Sequence, residues 1–476
     1  MMHPLLSFRR KPEPRSHRRG IPAFAGMTML FVFLLASPAH AADKILDVQT
    51  IKSPGGISAW LVQDKTVPVI SISFSFEGGL AYDPEDKPGV GRLVSILLDE
   101  GAGDMKSQEF QGVETDNAID MSFSAGRDAF AGRLKTLKSN KDLAFQLLGL
   151  ALNKPRFDAD AIERMKNANI SEIKEDMGSP EWLVARAFNG ELFQGHYYAR
   201  PGYGHLVSMA SITRDDLVTF TKGQFAKNVL KVSIAGDISK EDAQRALDKI
   251  FGALPDEAAP ADMEEAELQN PGKTILLPLN VPQTFIAAGE PGIKRADKDW
   301  QAAVVMNYIL GGSAFDARLM NEIRKKRGLT YGVYSTLTSM KHAALIQANM
   351  SAGNEKAAQA LKLLKQEWAK MAKEGATEQE VKDAKDYLTG SVLLELTSTD
   401  EISDTLNGLQ RDDLSPDYIN ERNAAINAVT VADVNRVAAR LLKPSALTVV
   451  LVGQPKNVDA DILLDGPPGM KEPKQK

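Results

Sequence analysis

The chain has 476 residues, of which 43% are apolar and 25% charged. That is the balance of an ordinary globular protein, and the length favours two or three domains over one core. It contains no cysteine, which excludes disulfides, thiolate metal sites and cysteine nucleophiles, and its formal charge of −5 argues against the basic face that nucleic acid requires.

At the N-terminus, Arg9, Arg10, Lys11, Arg15, Arg18 and Arg19 precede an apolar run from Ile21 to Leu35, and Ala39-His40-Ala41 supplies a small-x-small signal-peptidase pattern. Residues 1–41 are expected to be a signal peptide with a basic leader, and a start at Met27 or Met29 would shorten that leader. The apolar run is short of the ~20 residues that span a bilayer, and no later segment reaches that length. The mature chain is therefore expected to begin at Ala42, to have no membrane span, and to be periplasmic or secreted. Cleavage removes six basic side chains and one acid, Glu13, so the formal charge moves from −5 to −10. That balance weighs toward neutral or cationic peptides as binding partners.

Val67-Pro68 leads into a short strand, Val69 to Phe74, with proline at its entry. Farther along, Thr213-Arg-Asp-Asp216-Leu217 reads as an N-capping threonine with an acid at the third helical position. An amphipathic helix follows, and then the strand Leu230-Lys-Val-Ser-Ile-Ala-Gly236. From Asp256 to Pro271 the chain is acidic, rich in alanine and proline, and without apolar period, which marks a linker. Val281-Pro282 then enters a second short strand, Thr284 to Ala287. Long helices are expected over Ala357–Lys373 and Thr377–Leu396. Thr430-Val-Ala-Asp433-Val434 and Leu447 to Gly453 complete the pattern.

Thr213 and Thr430, Asp216 and Asp433, Leu230 and Leu447, and Gly236 and Gly453 are all separated by the same 217 positions. One such unit is commonplace, but two with identical internal spacing signify an internal duplication. The fold class expected is α+β: two similar domains, each a mainly antiparallel sheet covered by helices. The boundaries are 42–255 and 272–456, with a linker over 256–271 and a C-terminal tail over 457–476.

Leu310-Gly311-Gly312-Ser313, Arg318-Leu319 and Ile323-Arg324-Lys-Lys-Arg-Gly328-Leu329-Thr330-Tyr331 resemble the C-terminal-domain signature of pitrilysin/insulinase-type zinc peptidases, a group that includes the mitochondrial processing peptidases. Glu77-Gly78-Gly79 and the stretch from Gly195-His196 to Gly204 extend the resemblance over nearly the whole mature chain. Active members of that family carry His-x-x-Glu-His on a helix, so that two imidazoles grip zinc and the glutamate reaches the metal-bound water. Laid on the pattern, the helix expected over Pro88 to Gly101 has Arg92 for the first histidine, Ser95 for the glutamate and Ile96 for the second histidine. Only Glu172 falls where the distal ligand would be. Arginine and isoleucine offer zinc no lone pair and serine is no base, so the resemblance implies a degenerate zinc site. The mature chain has only His196, His205 and His342, no two of them three to five residues apart. His196 and His205 are expected to be solvated loop residues, and Asp99, Glu100 and Asp104 a solvated helix end capped by Gly101.

The resemblance assigns Arg324 and Tyr331 to the active site of a zinc-bearing partner, where they would hold the substrate backbone and stabilise the oxyanion. Spacing alone allows a plainer account, in which Arg324 is a helix surface residue, Gly328 its cap and Tyr331 part of a strand over Thr330–Thr336. Gly311, Gly312 and Ser313 stand where some non-catalytic processing-peptidase subunits have a substrate-contacting glycine loop, though a helix-ending turn accounts for them equally. The function implied is that of a non-catalytic subunit in a heterodimeric zinc metallopeptidase. It would hold no cofactor itself, pair with a zinc-bearing paralogue, bind peptide or unfolded protein and donate Arg324 and Tyr331. The alternative is a purely structural or peptide-binding protein, like the respiratory-complex core proteins that resemble this family, with no part in proteolysis.

Overall fold

The computed structural model describes residues 44–261, 263–312 and 315–466. The expected signal peptide, Ser313 and the end of the expected tail lie outside them.

Gln49–Lys52 (β1), Ser58–Gln63 (β2) and Val69–Glu77 (β3) open the chain, and a small hairpin of Gly101–Ala102 (β4) and Met105–Lys106 (β5) follows. Asp120–Ala125 (β6), Ala129–Leu137 (β7) and Leu230–Gly236 (β8) complete a first six-stranded sheet in the order β1-β2-β8-β3-β7-β6. The second sheet is built from Thr274–Pro278 (β9), Gln283–Pro291 (β10), Val333–Ser339 (β11), Ala344–Gly353 (β12), Thr448–Gly453 (β13) and Ile462–Leu463 (β14). Its order is β14-β9-β13-β10-β12-β11.

The two orders superimpose strand for strand from β2 and β9 inward, and each contains one parallel pair at the same place, β2 with β8 and β9 with β13. The other inner pairs are antiparallel. Only the outermost strands break the likeness, since β1 runs antiparallel to its neighbour and β14 parallel. β14 belongs to the segment read as tail, whose Asp461 caps the edge by accepting from the Thr274 N–H at 2.8 Å.

Helices Val90–Ser95 (α1), Ser107–Asp116 (α2), Lys141–Asn153 (α3), Ala159–Asp176 (α4), Pro180–Leu192 (α5), Leu206–Ser211 (α6), Arg214–Gln224 (α7) and Lys240–Phe251 (α8) belong to the first half. Trp300–Gly311 (α9), Ala357–Glu374 (α10), Glu378–Ser391 (α11), Thr399–Arg411 (α12), Tyr418–Ala428 (α13) and Val431–Leu441 (α14) belong to the second. The helix expected over Thr377–Leu396 is regular only to Ser391, because the chain tightens into a 3-10 turn over Val392–Glu395. α7 and α14 start with the capping boxes read from sequence: Thr213 with Asp216 and Thr430 with Asp433 exchange side-chain and backbone bonds.

The apolar faces of β3 and β8 carry one core, with Ile70, Ile72, Phe74, Val232 and Ile234 under α1, α3 and α8. Ile286, Ala288, Val449 and Leu451 carry another under α9, α10 and α14. Two helices leave their own half: α5 packs on β10 and β13, and α12 packs on β3 and β8. Among the described residues no helix is long and apolar enough to cross a membrane.

Candidate functional site

The segment expected to be one helix from Pro88 to Gly101 is helical only over Val90–Ser95. Gly89 enters it with φ near 100°, and a Cβ there would lie 2.8 Å from Gly204. Buried Asp83 accepts from the N–H groups of Gly89 and Gly91 at 2.7 and 2.8 Å. Burial pushes its carboxyl up to about 6 despite those bonds and the nearby Arg200. Ser95 turns its hydroxyl back onto the Arg92 carbonyl at 2.7 Å, which favours ending the helix. Ile96 is the first residue beyond it and packs against the first core.

Arg92 and Glu172, assigned to opposite ends of the zinc-ligand pattern, meet at 2.9 Å between Nη2 and Oε2. The guanidinium lies 4.6 Å above the Tyr203 ring. Its Nε is 3.4 Å from Oδ1 of buried Asn169, whose amide donates to the Tyr203 carbonyl at 2.9 Å. Zinc does not fit these residues: the one carboxylate that could ligate it is held by a permanent cation, and neither Ser95 nor Ile96 supplies a second donor. Among the described residues no group of three or more metal-ligating side chains is assembled. Asn169 and Tyr203 were missed in the sequence, although Asn169 sits one helical turn before Glu172 on the same face of α4.

Glu100 corrects the expectation of a solvated helix end. It is 8% exposed and takes bonds from Ser107 at 2.5 Å, Gln111 at 3.2 Å and Arg164. Burial, with Glu100 adding to it, raises the neighbouring Asp99 to about 6. The two loop histidines are likewise engaged and not simply solvated. His196 Nδ1 accepts from the Tyr198 N–H at 3.1 Å and its Nε2 is 2.9 Å from the Glu264 carbonyl, while His205 Nδ1 accepts from the Ser208 N–H at 3.0 Å as a helix cap.

Arg324 lies in a π-helical turn over Met320–Lys325, closed by Gly328 in the left-handed region at φ 58°. Its guanidinium sits 4.9 Å over the ring of exposed Phe315, shared with Lys325 at 4.5 Å. Tyr331 comes before β11 and not in it, and is 81% exposed. Among the described residues no hydrogen bond joins the Tyr331 hydroxyl to the chain. No hydrogen bond or ion pair links Arg324 or Tyr331 to Arg92, Ser95, Ile96 or Glu172. Gly311 ends α9 and is packed so that a Cβ would lie 2.6 Å from the Ser335 hydroxyl, and at Gly312 one would lie 2.7 Å from Tyr308 Cα. These glycines form a tight helix end, which is the plainer of the two readings.

Residues 211–388 match the family described as "Peptidase M16 inactive domain". Residues 211–388 of the chain are thus similar to a peptidase M16 inactive domain. The Helicobacter pylori "Non-peptidase homolog YmxG" is 28% identical over 340 residues, covering 69% of this chain and 76% of that one. The Bacillus subtilis "Uncharacterized zinc protease YmxG" is 22% identical over 402 residues, covering 81% and 93%. Among solved structures, a peptidase M16 inactive domain from Pseudomonas fluorescens has TM-score 0.81 at 28% identity, covering 88% of this chain and all of that one. A chain of Complex III2 from Candida albicans shares the fold, with TM-score 0.72 at 14% identity over 87% of this chain and 98% of that one. The resemblance and the α+β fold read from sequence are both borne out by these likenesses.

Proposed function

We propose that this chain is a periplasmic or secreted, non-catalytic subunit, organised as two domains over residues 42–255 and 272–456. It pairs with a zinc-bearing paralogue, binds peptide or unfolded protein, and donates Arg324 and Tyr331 to the partner's active site. The observation that carries this reading is Tyr331: a tyrosine 81% exposed, with no hydrogen bond of its own among the described residues. Arg324, in the π-helical turn that precedes it, has donors that among the described residues meet a thioether and a ring. A phenol and a guanidinium so presented can both donate to the oxyanion that forms when a peptide carbonyl is attacked. The chain's own zinc position is closed by the Arg92–Glu172 pair, so the chemistry needs a metal held elsewhere.

The test is kinetic, on the reconstituted pair with a fluorogenic peptide. Tyr331→Phe should lower turnover by about 10²–10³, the usual cost of one oxyanion donor. The unfolding temperature should hardly change, because so exposed a hydroxyl supports nothing in the fold. Undiminished turnover would return Tyr331 to an ordinary surface residue. Equal losses of turnover and of heterodimer affinity would make it an interface residue instead.

A further inference from the structure

Beside the Arg92–Tyr203 stack lies a cleft of about 390 Å³ whose charged lining is Arg127, Arg186 and Arg200, with Trp182, Tyr198 and Tyr203 as its aromatic walls. Among the described residues no carboxylate lines it. Arg186 is 8% exposed. Its Nη1 donates to the Ala199 carbonyl at 2.7 Å, and its Nε is buried with no hydrogen-bond partner. Arg127 stands over the Tyr198 and Phe193 rings at 5.5 and 5.7 Å, and among the described residues its hydrogen bond is to the Met340 thioether at 3.3 Å. The acid next to it, Asp128, is already committed: it accepts from the Tyr197 and Tyr198 hydroxyls and from the Lys341 N–H. Arg200 spends Nη1 on the Asp83 carbonyl at 2.9 Å. Burial, and then repulsion from Arg127, lowers Arg186 to about 10.

Like charges held together in a half-dry cleft are costly unless a counter-charge joins them. Guanidinium groups meet carboxylates with matched planar geometry, and aromatic walls around a few polar anchors are what ligand pockets consist of. We infer that this cleft binds the carboxylate of an acidic peptide segment, with a neighbouring apolar side chain against Trp182 and Tyr203. Locally the cleft reverses the charge preference that the chain's negative balance implies. This inference rests on the peptide-binding part of the proposed function but not on any partner, and it is tested on the mature chain alone.

A fluorescein-labelled, C-terminally amidated nonapeptide with a Glu-Tyr-Glu centre is titrated against the chain by anisotropy, beside its Gln-Tyr-Gln twin and a free-acid version of that twin. The glutamate peptide should bind at least about tenfold tighter than the amidated twin, as loss of a charge-assisted contact predicts. It should also shift Trp182 emission, a response that Trp182→Phe removes. Tight binding of only the free-acid twin would assign the cleft to a chain-terminal carboxylate. Arg127→Met, which breaks no backbone bond, should lower affinity about tenfold or more. Arg200→Gln should do the same and stands in if Arg186→Met fails to fold. Equal binding of the amidated peptides with no free-acid preference, no binding, or wild-type affinity in both Arg127→Met and Arg200→Gln overturns the inference. Competition by inorganic phosphate as strong as that by the unlabelled peptide would also overturn it, reducing the cleft to a small-anion site. Tyr331→Phe should bind normally here, so failure of this test leaves the catalytic partnership standing, and the converse.

Discussion

Helices α5 and α12 hold equivalent places in the two halves, and each lies on the other half's sheet, but they are held by different mixtures of apolar and polar contact. α5 sets Leu183, Val184, Ala187 and Phe188 against Ile275, Leu277, Ala287, Val450 and Val452, all buried and all apolar. Phe188 is so close that a Cβ on Gly289 would come within 2.6 Å of its ring. α12 sets Ile402, Leu406 and Leu409 against Val62 and Ala235 but also meets a row of hydroxyls: Ser71 and Ser73 of β3 bond Thr399 and Ser403 at 2.8 Å, and Ser73 also bonds Asp404 at 2.6 Å. Asn407 and Gln410 donate to the carbonyls of Lys231 and Val232 at 3.1 and 2.8 Å. The duplication has kept the path of the backbone and not the means of fastening it. One exchanged helix is held by removal of apolar surface from water alone, the other by apolar burial together with directional bonds that fix its register and contribute less net free energy each.

The comparison breaks first at Phe188. Phe188→Ala should destabilise the chain by about 3–5 kcal/mol, the cost of a large cavity at a fully packed site. Chemical denaturation measures it as a lowered midpoint at unchanged slope. On the polar side, Gln410→Ala strips partners from the Val232 carbonyl and the Ser233 hydroxyl and should cost about 1–3 kcal/mol. Replacing both members of the Ser71–Thr399 pair, as Ser71→Ala with Thr399→Val, should stay within about 1 kcal/mol of wild type because no buried group is orphaned. If Gln410→Ala costs as much as Phe188→Ala, the two fastenings are energetically alike and the contrast fails.

The duplication was legible because capping and strand closure are local. Thr213 with Asp216, Thr430 with Asp433, and the closing Gly236 and Gly453 write their geometry into short spans, and all of them form as read. The exchange of α5 and α12 was not legible, because the partner of a helix face is set by tertiary packing. Its trace was nonetheless present in Val69-Ile-Ser-Ile-Ser-Phe74, where serine at every second place marks a strand with one polar, buried face. At the degenerate zinc position, sequence named Arg92 and Glu172 but not their bond, and it overran the helix past Ser95. The arginine cleft went unread because Arg127, Arg186 and Arg200 come from distant turns of the chain and share no period. Glu100 was misread as solvated because its partner Arg164 stands 64 positions away.

The finest contrast is between two ion pairs. In the second half, Arg318 grips Glu380 with Nε and Nη2 at 2.7 Å each and also donates to the Gly375 carbonyl. Burial alone would raise Glu380, but the bonds from Arg318 and Thr377 outweigh it and pull it from 4.5 to about 2. A carboxyl lowered on folding stabilises fully above its unfolded value, so this contribution should be present above about pH 4.5 and lost as pH falls toward 2. Arg92 and Glu172 share one bond, with side chains 25% and 42% exposed, and water screens most of their attraction. A double-mutant cycle through Arg92→Met and Glu172→Gln should give a coupling of only ~0.2–1 kcal/mol. The same cycle through Arg318→Met and Glu380→Gln should give about 1.5–3 kcal/mol, as for hydrogen bonds to charged groups. A coupling at Arg92–Glu172 equal to that at Arg318–Glu380 would mean that the arginine has taken over a metal's work of tying α1 to α4. A coupling near zero would leave it a plug, filling the ligand's place without bracing the fold.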